Sequence, residues 1–248
     1  MTFVNAALMD QRSVLDHTGA TRNDEMNERR LLMKGGVVSL VGATGLMGAK
    51  GAAALNEGTP KWGMVIDLNR CSGCQACVIA CKVQNKTVPG KFNTRVVAVE
   101  HSKSRAKRVT FTPIQCNHCE DPPCVKACRA EATFKLPNGI VVTDWEQCVS
   151  IGKCVPACPY DARFLDPRHE GMVDKCDFCI DRLDKGLLPA CVEACDAGAR
   201  IFGDLNAPQG EFAEYLKRAD LTRRKPGLGI TTNVLYVAHR KTGEGVEI

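Results

Sequence analysis

Fifteen cysteines stand in four groups, and no cysteine falls outside them. Cys71, Cys74, Cys77 and Cys81 lie in CSGCQACVIAC. Cys116, Cys119, Cys124 and Cys128 lie in CNHCEDPPCVKAC. Cys148, Cys154 and Cys158 lie in CVSIGKCVPAC, and Cys176, Cys179, Cys191 and Cys195 lie in CDFCIDRLDKGLLPAC and the VEAC that follows. Thiolates repeated at a Cys-x2-Cys-x2-Cys-x3-Cys spacing wrap a loop around an iron–sulfur cubane. Three of them point inward, and the closing cysteine, one short turn further on, faces a second cluster, as in two-cluster ferredoxins. Gly73 and Gly152 sit within the tight loops, where a chain reversal close to the cluster favours a residue without a Cβ.

Two other uses of cysteine fit less well. Disulfide scaffolds belong to short secreted chains with even counts, whereas this chain has 248 residues and an odd count. Structural zinc takes four ligands from two separated pairs, not runs of three and four closing on Cys-x3-Cys. The remaining composition points the same way. Aromatic residues make up only 5 % of the chain, so the interior is expected to be organised around inorganic centres. No nucleophile–base pair, Walker loop or dinucleotide fingerprint is present.

One ligand position is missing. The run from Cys148 to Pro159 has isoleucine at 151 where a second cysteine belongs. Isoleucine does not bind iron, and three thiolates suit a 3Fe–4S cluster, which lacks one corner. An apolar side chain over that corner would exclude water. Two alternatives stay open here: a degenerate site without a cluster, and a 4Fe–4S cluster with water or another non-cysteine ligand on its fourth iron.

The elements that must hold these loops are short. The sequence predicts an α+β fold, a duplicated bacterial-type ferredoxin with short strands, short helices and long cluster-binding loops. NTRVVAVEH and RVTFTPIQC alternate as strands about a turn in SKSRAKR, and ATFKLPNGIVVTD predicts a hairpin about Pro137, Asn138 and Gly139. QGEFAEYLKRA reads as a peripheral helix, and Thr232 to Val237 as a strand. Residues 1–60 form an N-terminal extension. Residues 61–113 with 160–205 form a first ferredoxin-like domain carrying groups one and four, 114–159 a second carrying groups two and three, and 206–248 a C-terminal extension.

From about Lys61 to Val237 the sequence resembles the four-cluster iron–sulfur beta subunits of the DMSO and polysulfide reductase, NrfC and Dsr membrane complexes. CNHCEDPPC, NGIVVTDWEQC, CPYDARFLDP and DKCDFC carry the likeness. The resemblance implies that one cluster is held by Cys71, Cys74, Cys77 and Cys195, and a second by Cys176, Cys179, Cys191 and Cys81. A third falls to Cys116, Cys119, Cys124 and Cys158, and the last to Cys128, Cys148 and Cys154 beside Ile151. In some relatives a non-ligand at this last place accompanies a 3Fe–4S cluster, the one closest to the membrane partner.

The implied cofactors are three 4Fe–4S clusters and one 3Fe–4S cluster. The implied function is non-catalytic: electron transfer between an NrfD-type quinone-reactive membrane subunit and a cytochrome or catalytic oxidoreductase subunit, in a respiratory complex expected to serve sulfur metabolism. A freely diffusing periplasmic polyferredoxin is the alternative.

The N-terminus bears on location. Arg29 and Arg30 precede Leu31, Leu32, Met33 and Lys34, a pattern that matches a twin-arginine signal. The Gly- and Ala-rich run from Gly35 to Ala49 is too short for a spanning helix and fits a signal core, with small residues at Ala52 to Ala54 for cleavage. Clusters are inserted in the cytoplasm, so a cluster protein working outside must cross folded, which this route permits. The expected location is periplasmic, with attachment to the membrane through partner subunits.

Two basic stretches, Lys103 to Arg108 and Arg223 to Lys225, are expected to be solvated turns or contacts to acidic partners rather than a nucleic-acid surface. The formal net charge of +5 is offset by the negative charge that thiolate-bound clusters carry. His118, between two ligands, and Trp145 are expected to pack near a cluster.

Overall fold

The structure is a computed structural model that describes residues 58–101 and 108–240. The twin-arginine stretch and the expected turn in SKSRAKR lie outside them.

The strand β1 (Trp62–Asp67) is apolar on both faces and buried on both. It lies inside a four-stranded sheet with the order β8 (Arg200–Asp204), β1, β10 (Val234–Val237), β9 (Leu221–Thr222). β10 runs parallel to β1, with Met64 opposite Val234 and Asp67 opposite Val237, while β8 runs antiparallel on the other edge of β1. The expected strand at 232–237 is present and begins at Val234.

Alternation along β1 divides the interior into two sides. Met64 and Ile66, with Val234 and Tyr236 of β10, pack against Ile140, Phe178 and the ligand-group residues Cys77 and Cys191. Val65, with Ile201 and Val237, packs against Phe212 and Tyr215 of the helix α5 (Gly210–Leu216). The sheet is thus a floor with cysteines on one side and the predicted outer helix on the other. Tyr215 donates a hydrogen bond to Asp67 at 2.9 Å, which fixes α5 to β1. Each fully buried aliphatic side chain in this floor stabilises the fold by about 1.5–3 kcal/mol.

Three hairpins follow the cysteine loops. β2 (Thr94–His101) pairs with β3 (Arg108–Gln115), β4 (Thr133–Lys135) with β5 (Val141–Thr143), and β6 (Phe164–Asp166) with β7 (Met172–Asp174). The first two are the predicted ones. The β4–β5 turn closes through Leu136 and Ile140 at 2.8 Å, with Gly139 at a φ of 83° that its lack of a Cβ allows.

The remaining helices are short: α1 (Ala76–Asn85), α2 (Pro123–Lys126), α3 (Ile180–Leu183) and α4 (Ala190–Glu193). Among the described residues no helix is long and apolar enough to cross a membrane.

The basic stretch at 223–225 differs from its expectation. Arg224 is buried and donates to the carbonyl of Tyr160 at 3.0 Å, and Lys225 donates to that of Pro159 at 3.0 Å. These residues strap the segment just past Cys158 to the sheet. A turn signal in sequence does not reveal that backbone carbonyls await its cations.

Candidate iron–sulfur centres

Group one enters through a loop in which Gly73 has a φ of 77° and Gln75 a φ of 66°. A Cβ on Gly73 would stand 2.5 Å from the ring of Phe111, so the loop is closed against the β2–β3 hairpin. The helix α1 then starts at Ala76. Cys77, Cys81 and Asn85 recur every fourth residue and form its buried face. Asn85 donates to the carbonyl of Cys81 at 2.9 Å, to the Cys81 Sγ at 3.4 Å and to the Cys179 Sγ at 3.9 Å. One amide therefore joins the closing cysteine of group one to a cysteine of group four.

Helices carry the third cysteines more consistently than the closing ones, of which, among the described residues, only Cys81 lies on a helix, one turn into α1. Cys77, Cys124 and Cys191, the third cysteines, lie within α1, α2 and α4. Cys128 and Cys195 fall beyond the ends of their helices, and group three has turns and no helix. Pro123, at the start of α2, has the φ and the missing N–H that suit a first helical position, so the cysteine after it is carried on the helix.

The sulfurs gather across the groups. Cys71 lies within electrostatic reach of Cys77 and of Cys195. Cys81 is in reach of Cys191 and Cys179, and Cys176 of Cys81, Cys191 and Cys179. Cys119 is near Cys116, Cys124 and Cys158. Cys154 is near Cys128 and Cys148. Cys74 is exposed at the surface beside the first of these gatherings in sequence. Cys191 also lies near Cys77 and Cys195, so the first two gatherings adjoin.

All fifteen thiols are free, so no disulfide competes. Among the described residues no three of His, Cys, Asp and Glu converge tightly enough to hold one metal ion.

Burial pushes the Cys119 thiol up to about 12, helped by the neighbouring thiols Cys116, Cys124 and Cys158. Burial likewise raises Cys179 to about 12, and it raises Cys81 and Cys176. Without metal these sites hold protons, and iron binding must displace them.

Several buried donors have no partner: Nε and Nη2 of Arg163, Nε of Arg200 and Nε2 of His118. Buried donors are nearly always satisfied. Orphans among thiols fit sulfide-rich clusters as their acceptors. His118 accepts a hydrogen bond from the Val141 N–H at Nδ1, 3.0 Å away, and stacks on Phe178 with ring centroids 3.9 Å apart. Burial, then Lys175, Arg163 and Lys135, hold its pKa well below the ordinary histidine value, so it is neutral. It packs, as expected. Trp145 donates to the Val173 carbonyl at 3.0 Å and stacks on His169.

At the three-cysteine site a cavity of about 130 Å³ is lined by Cys128, Cys148, Cys154, Ile151, Thr133 and Ser150, among others. Its two hydroxyls are engaged: Thr133 accepts from Arg163 at 3.1 Å, and Ser150 donates to the Glu170 carbonyl at 2.9 Å. Ile151 does not seal the cavity. It is 60 % exposed on the rim, because Ser150 and Gly152, at φ values of 57° and 71°, turn the loop outward.

Two residues that the sequence reading passed over stand among the thiols. Arg163 lies beside Cys124 and Cys154, and Arg200 beside Cys191 and Cys77. Both follow a closing cysteine by the same offset, in CPYDAR and CDAGAR, a signal that was available.

Residues 107–205 match the family described as the 4Fe-4S dicluster domain. The chain is 45 % identical over 189 residues to the tetrathionate reductase B subunit of Salmonella typhimurium, a match spanning 73 % of this chain and 75 % of that protein. It is 37 % identical over 212 residues to protein NrfC of Escherichia coli, across 84 % of this chain and 94 % of that one. The Hdr-like menaquinol oxidoreductase iron-sulfur subunit 1 of Archaeoglobus fulgidus is 33 % identical over 223 residues, across 71 % and 82 %.

Proposed function

The chain belongs to the family of ferredoxin-like iron–sulfur beta subunits of reductase complexes, non-catalytic electron-transfer proteins, and from that premise we propose its ligand sets, its cofactors and its partners. The crosswise sets are Cys71, Cys74, Cys77 and Cys195; Cys176, Cys179, Cys191 and Cys81; Cys116, Cys119, Cys124 and Cys158; and Cys128, Cys148 and Cys154. The gathering of sulfurs across the groups supports them, above all the Asn85 amide shared by Cys81 and Cys179. The equal offsets of Arg163 and Arg200 from their closing cysteines support a duplicated ferredoxin unit.

The first three sets would hold 4Fe–4S clusters and the last a 3Fe–4S cluster. Such clusters supply one-electron redox chemistry, at potentials set by type, charge, hydrogen bonding and exposure. The chain's own residues fix the sulfurs, exclude water from most of them and place donors and cations around them. The 3Fe–4S reading rests on Ile151 at the rim and on a cavity lining with no fourth cysteine and no free hydroxyl.

The partners would be an NrfD-type quinone-reactive membrane subunit and a cytochrome or catalytic subunit, in a complex of sulfur metabolism. Val149, Ile151 and Leu165 are exposed at 63 %, 60 % and 43 %. They form an apolar collar at the three-cysteine site, suited to a membrane partner. The Arg29–Arg30 signal would take the folded protein to the periplasm.

Affinity purification of the tagged chain from detergent-solubilised membranes tests this reading. A polytopic subunit should co-purify, and Val149→Asp with Leu165→Asp should release it. A soluble monomer in the wild type would favour the freely diffusing polyferredoxin instead.

A further inference from the structure

Arg163 and Arg200 are each 3 % exposed. Among the described residues neither forms an ion pair with a carboxylate. A buried guanidinium without an opposite charge is strongly unfavourable, so its counter-charge must come from the sulfur ligands around it.

The two surroundings correspond. Arg163 donates through Nη1 to Thr133 at 3.1 Å, at the start of the β4–β5 hairpin. Arg200 donates through Nη2 to Thr94 at 2.8 Å, at the start of the β2–β3 hairpin, and through Nη1 to Gln115 at 3.1 Å, at its end. Each hairpin thus holds one face of a guanidinium and leaves other N–H groups facing thiols. Nε and Nη2 of Arg163 and Nε of Arg200 have no partner among protein atoms. The Arg200 Nη1 stands 3.9 Å from the Cys191 Sγ.

In each case the thiols belong to two different ligand sets. Arg163 lies beside Cys124 of one set and Cys154 of another. Arg200 lies beside Cys77 and Cys191, which also belong to separate sets. Resting on the crosswise sets proposed above, we propose that Arg163 and Arg200 are positioning residues, each a fixed positive charge shared by two clusters, which raises the reduction potentials of both members of its pair together. The physical reason is the sign of the charge. Adding an electron makes a cluster more negative, and a nearby permanent cation favours that form. Arginine stays protonated at any working pH, so the effect does not depend on pH.

The test is a set of potentiometric titrations followed by electron paramagnetic resonance, on the full-length protein loaded with clusters. The wild type must first show four centres, and fewer would count against the ligand sets whatever the arginines do. Given four, Arg163→Gln should lower two potentials and leave the other two in place. Arg200→Gln should lower the complementary two. Arg163→Lys and Arg200→Lys, which keep the charge, should hold the wild-type values more closely than the glutamine variants. Potentials are read only from loaded molecules, so a reduced yield of one variant does not blur the result, and either arginine decides by the same criterion. A shift confined to one centre, or spread equally over four, or unchanged potentials in a glutamine variant, would overturn the proposal and leave the arginines a structural role only.

Discussion

At the residue scale, neutral donors bear on the centres as cations do. Asn85 is buried, and its amide reaches the sulfurs of Cys81 and Cys179 at 3.4 and 3.9 Å. A hydrogen bond to a cluster thiolate stabilises the more negative, reduced form, and such surrounding contacts tune a metal site as much as the ligands do. Asn85→Leu keeps the branching at Cγ and removes the donor. It should lower the potential of one centre only, the one assigned to Cys81, Cys176, Cys179 and Cys191, while all four remain loaded. A redox titration in which all four potentials match the wild type would show that the amide serves α1 and not the cluster.

The same scale shows how unevenly the sequence speaks. The cysteine spacing announces its chemistry, because no other residue type ligates iron in that pattern. Arg163 and Arg200 resemble ordinary surface charges until the fold buries them. The sequence shows Ile151 as a non-ligand but not its place on the rim, because the exposure of one side chain depends on how the loop around it turns.

At the scale of elements, short hairpins and one-turn helices stand in for the large core that a chain of this length would otherwise build. Gly73 and Gly90 both have φ near 78°, at 77° and 78°. A Cβ at Gly90 meets nothing within 4 Å, whereas at Gly73 it would stand 2.5 Å from the Phe111 ring. Gly90→Ala should therefore cost only the backbone penalty of about 1–2 kcal/mol. Gly73→Ala should cost that and the displacement of Phe111, and it should lose iron from the group-one centre. Thermal unfolding and iron content of the two variants check this, and equal effects would remove the role assigned to the contact with the hairpin.

Two of the three hairpins were legible because alternation and turn chemistry are local, while β6–β7, of three residues a strand, is too short to show alternation. The pairing of β10 with β1 was not, since Val234 and Met64 are far apart in sequence and nothing in either strand specifies the other. The strap formed by Arg224 and Lys225 escaped for the same reason.

At the scale of the whole molecule, the floor of β8, β1, β10 and β9 carries cysteines of groups one and four on one side, where the first two gatherings of sulfurs adjoin. An arrangement of this kind suits a relay between two partners. Export of the folded, loaded chain is the remaining requirement of the periplasmic proposal. Replacing Arg29 and Arg30 by lysine should leave a cluster-loaded protein in the cytoplasm, as fractionation and iron assay of the two compartments would register. Periplasmic protein at wild-type amounts would remove the assigned location.

The central claim is the inventory of centres, three 4Fe–4S and one 3Fe–4S, and the most direct measurement is the paramagnetic resonance of the air-oxidised protein. Oxidised 4Fe–4S clusters of the ordinary kind are silent, and an oxidised 3Fe–4S cluster is not. The account predicts a single sharp signal near g ~2.0, of about one spin per protein when loading is complete, and its loss in Ile151→Cys, which supplies the absent thiolate. A silent wild-type protein carrying about sixteen irons, the content of four complete cubanes, would contradict it.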